Sequence, residues 1–125
     1  MTVSEITAAK AEFALAMADA GIDIMDYIPG RVMPPVVIIA SGSPYLVPET
    51  VGNEYELNLD LKCVAMTADN ESSTNALDLL IEQVVHATSN LHYVQLKQVN
   101  QPYGLEANGA VYLTADVNIM VSVSL

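Results

Sequence analysis

Cysteine, basic residues and charge in general are scarce in this sequence, and each shortage removes a class of explanation. With one cysteine, Cys63, an internal disulfide is impossible, which fits an intracellular or virion setting. Basic residues number four against fifteen acids, for a net charge of −11. Gripping phosphates requires clustered Lys and Arg, so such a chain repels nucleic acid rather than holding it. No apolar run is long enough to cross a bilayer. The start, "MTVSEITAAKAEF", lacks the basic flank and apolar stretch of a signal peptide. Charged residues make up 15%, below the roughly 25% of ordinary domains.

Apolar residues, at 52%, are plentiful. The length of 125 residues predicts a single domain over 1–125 that buries roughly two thirds of the surface of its unfolded chain. A monomer with this apolar share and so few charges leaves apolar surface exposed, and such surface marks a partner.

The pattern along the chain gives the elements. "TVSEITAAKAEFALAMADAG" predicts a helix over about residues 3–20, with Thr2 and Glu5 at capping-box spacing. Ile6, Phe13, Met17 and Ala20 share one face, and Gly21 stands at the stop. "IDIMDYIPGRVMPP" reads as a loop into a short buried strand, "PVVIIAS", and "SGSPYLVPETVGN" as a protruding loop. "NEYELNLDLKCVAMTA" alternates, with Tyr55, Leu57, Leu59, Leu61, Cys63 and Ala65 on one side. A second helix is expected over about 73–90, capped by Ser72 or Ser73, with Leu77, Leu80, Ile81, Val84, Thr88 and Leu91 as its apolar stripe. "HYVQLKQV" then pairs, through the turn-rich "NQPYGLEANG", with a last strand that turns Val111, Leu113, Ala115, Val117, Ile119, Val121 and Val123 one way. The expectation is an α+β domain, an antiparallel-dominated sheet of about four to five strands with two helices packed on one face.

Motifs of known chemistry are absent from the sequence: there is no phosphate loop, dinucleotide-binding glycine fingerprint or nucleophile elbow. Cys63 falls on the apolar face of a strand, where a cysteine acts as a small hydrophobe. His86 and His92 lie near the end of the second helix without the spacing of a metal site. The acids of "GIDIMD" and "DNESS" read as a loop and a helix cap, because the calcium-loop pattern is missing. No catalytic, cofactor-binding or metal-ligating residue is assigned, and the chain is not expected to be an enzyme or to need a cofactor. A small enzyme, the rival class, requires a concave site with convergent titratable groups. Glu54, Glu56 and Asp60 share the polar side of the alternating strand, either as a solvated face or as an acidic wall in an assembly. Val64, Met66, Tyr112 and Met120 share that phase, so part of the face is expected to be covered by a neighbour.

The block "YIPGRVMPPVVIIASGSPYL", the extended strand, the helix "NALDLLIEQVVHAT" and the final "VYLTADVNIMVSVSL" together resemble tail terminator proteins of long-tailed bacteriophages, over nearly the whole chain. Head-tail connector and neck proteins are similar small, acidic ring formers and stand as the alternative. The resemblance implies a homohexameric ring at the head-proximal end of the phage tail, assembled in the host cytoplasm. Such a ring ends polymerisation of the tail tube protein and meets the head-tail connector protein. Double-stranded DNA passes transiently through its lumen, and neither membrane nor cofactor takes part.

A rotational ring needs two different patches that meet head to tail. Five of the six prolines fall between residues 26 and 48, beside the only arginine, and proline lowers the entropy lost when a loop is ordered at an interface. The expected contact residues are Arg31, Met33, Pro34, Tyr45, Leu46 and Pro48, with Tyr103 and Leu105, and Arg31 either pairs with an acid of the next subunit or is paired within its own chain or solvated. Six copies at −11 each repel one another, so assembly should weaken at low ionic strength.

Overall fold

The computed structural model describes residues 4–25, 35–49, 52–67, 71–107 and 109–125. Its first element, α1 (Glu5–Asp19), is capped by Ser4, whose Oγ accepts the Thr7 N–H at 3.0 Å, with Glu5 set against the positive end of the helix dipole. Thr2, expected in the cap, lies outside the described residues. The other end closes as a Schellman motif: Gly21 N–H donates to Ala18 O and Ile22 N–H to Met17 O. Gly21 has φ 84, the left-handed conformation this closure requires. Ile22 and Met17, brought together by the motif, are both buried. Ala20 is the cap and is exposed rather than part of the apolar face.

Three strands follow: β1 (Ile24–Met25), β2 (Val36–Pro48) and β3 (Glu54–Thr67). β1 lies in a stretch expected as loop and pairs in parallel with Val37 and Ile38. β2 corrects the sequence reading, because it continues through "SGSPYLVP" instead of ending before it. Ser41 pairs with Leu59 and Leu46 with Leu57, so residues 42–45 bulge out opposite Asn58 alone. The turn-forming residues make this bulge, which contains a cis Ser43–Pro44 bond. Gly42 is required there, since a Cβ would sit 2.8 Å from the Asn58 carbonyl oxygen. The Asn58 amide ties the bulge down by donating to Pro44 O at 2.8 Å.

The second helix, α2 (Glu71–Ser89), starts earlier than expected, so Ser72 and Ser73 occupy its first turn instead of capping it. Leu77, Leu80, Val84 and Thr88 are buried along one stripe, as the periodicity requires. The chain ends with β4 (Val94–Val99), β5 (Tyr103–Ala107) and β6 (Ala110–Ser124). β5 is a second correction: "YGLEA" is a strand that returns through Gly109, at φ 78, with Ala107 opposite Ala110. β4 and β5 lie one after the other along β6, with Val99 opposite Val117 and Tyr103 opposite Thr114. Between them stands Pro102, which has no N–H to give to the ladder.

The result is a six-stranded sheet ordered β1-β2-β3-β6-β4, with β5 beside β6, and every pairing except that of β1 is antiparallel. Both helices pack on one face of this α+β sheet, which has more strands than the expected four to five. Phe13 and Met17 of α1 meet Leu77, Leu80 and Val84 of α2 over Val37, Ile39, Leu57, Leu59, Leu61, Cys63, Val117, Ile119 and Val121. The alternation read in β3 and β6 is observed as far as Val64; there β3 shifts register, so Met66, expected in phase with Val64, stands opposite Leu113 instead. Val111 departs from it: at the hairpin end of β6 it is 45% exposed.

Candidate functional site

Strand alternation sends one residue in two to the face opposite the helices, and that face is divided. At one end Val36, Ile38 and Val64 form a small second core, with Met25, Leu105 and Tyr112 packed against it. Val64 is fully buried by the chain itself, so the neighbour expected to cover it is not needed there.

Toward the middle of the sheet the face is polar and hydrogen-bonded across strands. Lys62 on β3 reaches Asp116 on β6 at 3.4 Å and donates to Tyr103 Oη at 3.1 Å, while Tyr103 donates to Asp116 Oδ1 at 2.9 Å. Burial works against the Lys62 charge, but the Tyr103 hydrogen bond and the Asp116 carboxylate outweigh it, and the ammonium is held more tightly than in water. Burial and Asp116 likewise raise the Tyr103 phenol, against the opposing influence of Lys62.

A second chain of bonds runs beside it. Asn118 donates to Asp60, Asn100 donates to Asn118 Oδ1 at 3.0 Å, and Gln98 donates to Asn100 at 2.7 Å. Lys97 Nζ donates to Asn58 Oδ1 at 3.3 Å. Asn58, Asp60, Lys97, Gln98 and Asn118, with Gly42 and Ser43 of the bulge, line an open cleft of about 310 Å³. Asn58, Asp60, Lys97, Gln98 and Asn118 are held by these bonds, which makes it a braced surface across β2, β3, β6 and β4.

Glu54, Glu56 and Asp60 share this face and are half-buried. Glu54 accepts from Ser124 Oγ at 2.7 Å and Asp60 from Asn118, so part of the acidic row is tied into the sheet. Arg31, Met33 and Pro34 lie outside the described residues. Tyr45 and Leu46 pack at the margin of the main core, with Lys10 5.1 Å above the Tyr45 ring, and Pro48 is exposed at the end of β2. Tyr103 belongs to the Lys62 network and Leu105 to the second core, across β3 and β6 from the Tyr45 group. The expected contact residues therefore form two separate groups.

Cys63 is buried, its thiol directed at Leu61 O and pushed up to about 12 by burial and the Asp116 charge. A thiol so held is protonated and inert at neutral pH. His86 is exposed in the last turn of α2, and His92 meets Tyr93 edge to face at 5.5 Å. Among the described residues, no three metal-ligating side chains converge. No described helix is long and apolar enough to cross a membrane. The sequence matches no protein-family model and no curated protein.

Sequence reading missed the outer rim of the sheet. Leu96 and Val99 of β4 are 37% and 40% exposed. The signal was available in "HYVQLKQV", whose apolar positions outnumber what the domain can cover when the strand stands last in the order.

Proposed function

We propose that this chain is a structural subunit of a long-tailed bacteriophage, six copies of which form a ring that caps the tail tube. The ring ends tube polymerisation and joins the tail to the head connector, with DNA passing through its lumen. The observation that carries this reading is that the segments bearing the resemblance are those that build the scaffold. The Pro-rich block leads into β2, the alternating segment is β3 and the final segment is β6, and these three lie side by side. The helix "NALDLLIEQVVHAT" packs on them from one side.

Charge supports the same reading. A net of −11 per copy gives the assembly a strongly negative surface, which lets DNA slide past without adhering. The helix-free face, with Glu54, Glu56 and Asp60, is the side assigned to the lumen.

Electron microscopy and native mass spectrometry of the purified protein, alone and with tail tube subunits, test the proposal. The expected result is a sixfold ring that binds tube ends and halts their growth. A twelvefold ring, or a monomer that leaves tube growth unchanged, overturns it.

A further inference from the structure

We infer that the outer edge of β4 is the surface through which one copy joins the next, by strand pairing with the outer edge of β2 in a second copy. The inference rests on the ring reading for the presence of successive copies; the choice of edges comes from the following geometry.

β4 stands last in the sheet, and no described strand pairs with its outer side. Ser122 N–H donates to Tyr93 O at 3.0 Å and Asn100 N–H to Asp116 O at 2.8 Å, so residues 93 and 100 direct backbone groups at β6. In an antiparallel ladder that direction alternates, and the bulge at Lys97, between Leu96 and Gln98, resets the alternation once along β4. The register places Leu96 opposite Ile119 and Val99 opposite Val117, which turns the N–H and C=O of Leu96 and Val99 away from β6. The same two residues carry the exposed apolar side chains of this strand. An edge of this kind pairs with another strand unless it is guarded, and lysine is a common guard. A bulge is another guard, and β4 has one at Lys97, but the Lys97 ammonium is drawn back over the sheet to Asn58, so its charge does not stand over the edge.

Charge selects the occupant. Residues 83–105 hold none of the fifteen acids and one of the four bases, in a chain of net −11. This rim is where a second, acidic copy meets least repulsion. The opposite edge is more acidic: among the described residues β2 is paired on its outer side only at Val37 and Ile38, by β1, and the exposed Glu49 follows its last residue, beside Glu54 and Glu56 of β3. An acid-free edge meeting an acid-bearing edge is a head-to-tail contact, the type that closes into a ring under rotation.

The test is sedimentation velocity of wild type and the double variant Leu96→Lys, Val99→Lys, with hydrogen exchange on assembled and diluted wild type. The expected result is that the variant keeps its native circular dichroism but requires at least a tenfold higher concentration to assemble. The Leu96 and Val99 amides of wild type should exchange at least tenfold more slowly when assembled. A folded variant that assembles like wild type overturns the β4 interface and leaves the ring standing. If the variant does not fold, unchanged exchange at both amides of assembled wild type overturns it equally. Wild type that stops at a twofold dimer through β4 refutes the pairing with β2, and wild type that never assembles refutes both this inference and the ring.

Discussion

The two faces of the sheet are made from the same strands by the same alternation, yet they are held in different ways. Beneath the helices the contacts are apolar and depend on volume, so the face is one continuous core. The opposite face combines a small apolar cluster with hydrogen bonds that cross from β3 through β6 to β4. Alternation tells which residues share a side; it does not tell whether the outward side is wet. Lys62 and Asp116, charged residues on that outward side, have side chains only 24% and 20% exposed.

Substitutions separate the two modes. The largest effect is expected under the helices: Phe13→Ala, at a fully buried site, should cost about 3–5 kcal/mol, read as a lower urea midpoint. On the other face Asp116→Ala leaves the Lys62 ammonium half-buried without its carboxylate and should cost about 1–3 kcal/mol by the same measurement. Equal losses at the two sites would remove the distinction between the faces.

Alkaline titration sharpens the comparison further. Cys63, Tyr103 and Lys62 all have pKa values raised in the fold, so each contributes stability that is complete below its unfolded value and is lost as pH rises through the folded one. For Cys63 that window runs from 9.0 to about 12; for Tyr103 and Lys62 it opens above 10.0 and 10.5. Thermal melts should therefore be insensitive to these groups at neutral pH and fall progressively above pH 9. The fall should be shallower in Asp116→Ala, where the support for the Lys62 and Tyr103 protons is reduced. At the exposed rim of the same face, Ser124→Ala removes the bond to Glu54 and should change stability by less than about 0.5 kcal/mol.

The parts of the fold legible in the sequence were those fixed by local periodicity. The α2 stripe from Leu77 to Thr88 and the paired alternation of β3 and β6 follow directly from side-chain spacing. What escaped depends on register. "SGSPY" consists of turn residues, and only the partner strand shows that they make a bulge within β2. "YGLEANGAVYL" carried an overlooked local signal, since Asn-Gly between apolar alternations marks a hairpin. For the candidate site, the row Glu54, Glu56, Asp60 was visible along one strand. Its partners Ser124 and Asn118 stand on β6, and no spacing within the chain announces them.

The bulge in β2 has a consequence for how this domain can vary. Between Ser41 and Leu46 the strand takes up more chain than its partner, yet Leu46 returns to the face occupied by Val37 and Ile39. The surplus is stored in one tethered place, with regular pairing on either side. With Gly42 kept, residues can therefore be gained or lost at 43–45 without inverting the strand beyond them, a change that elsewhere in the sheet would exchange its inside for its outside.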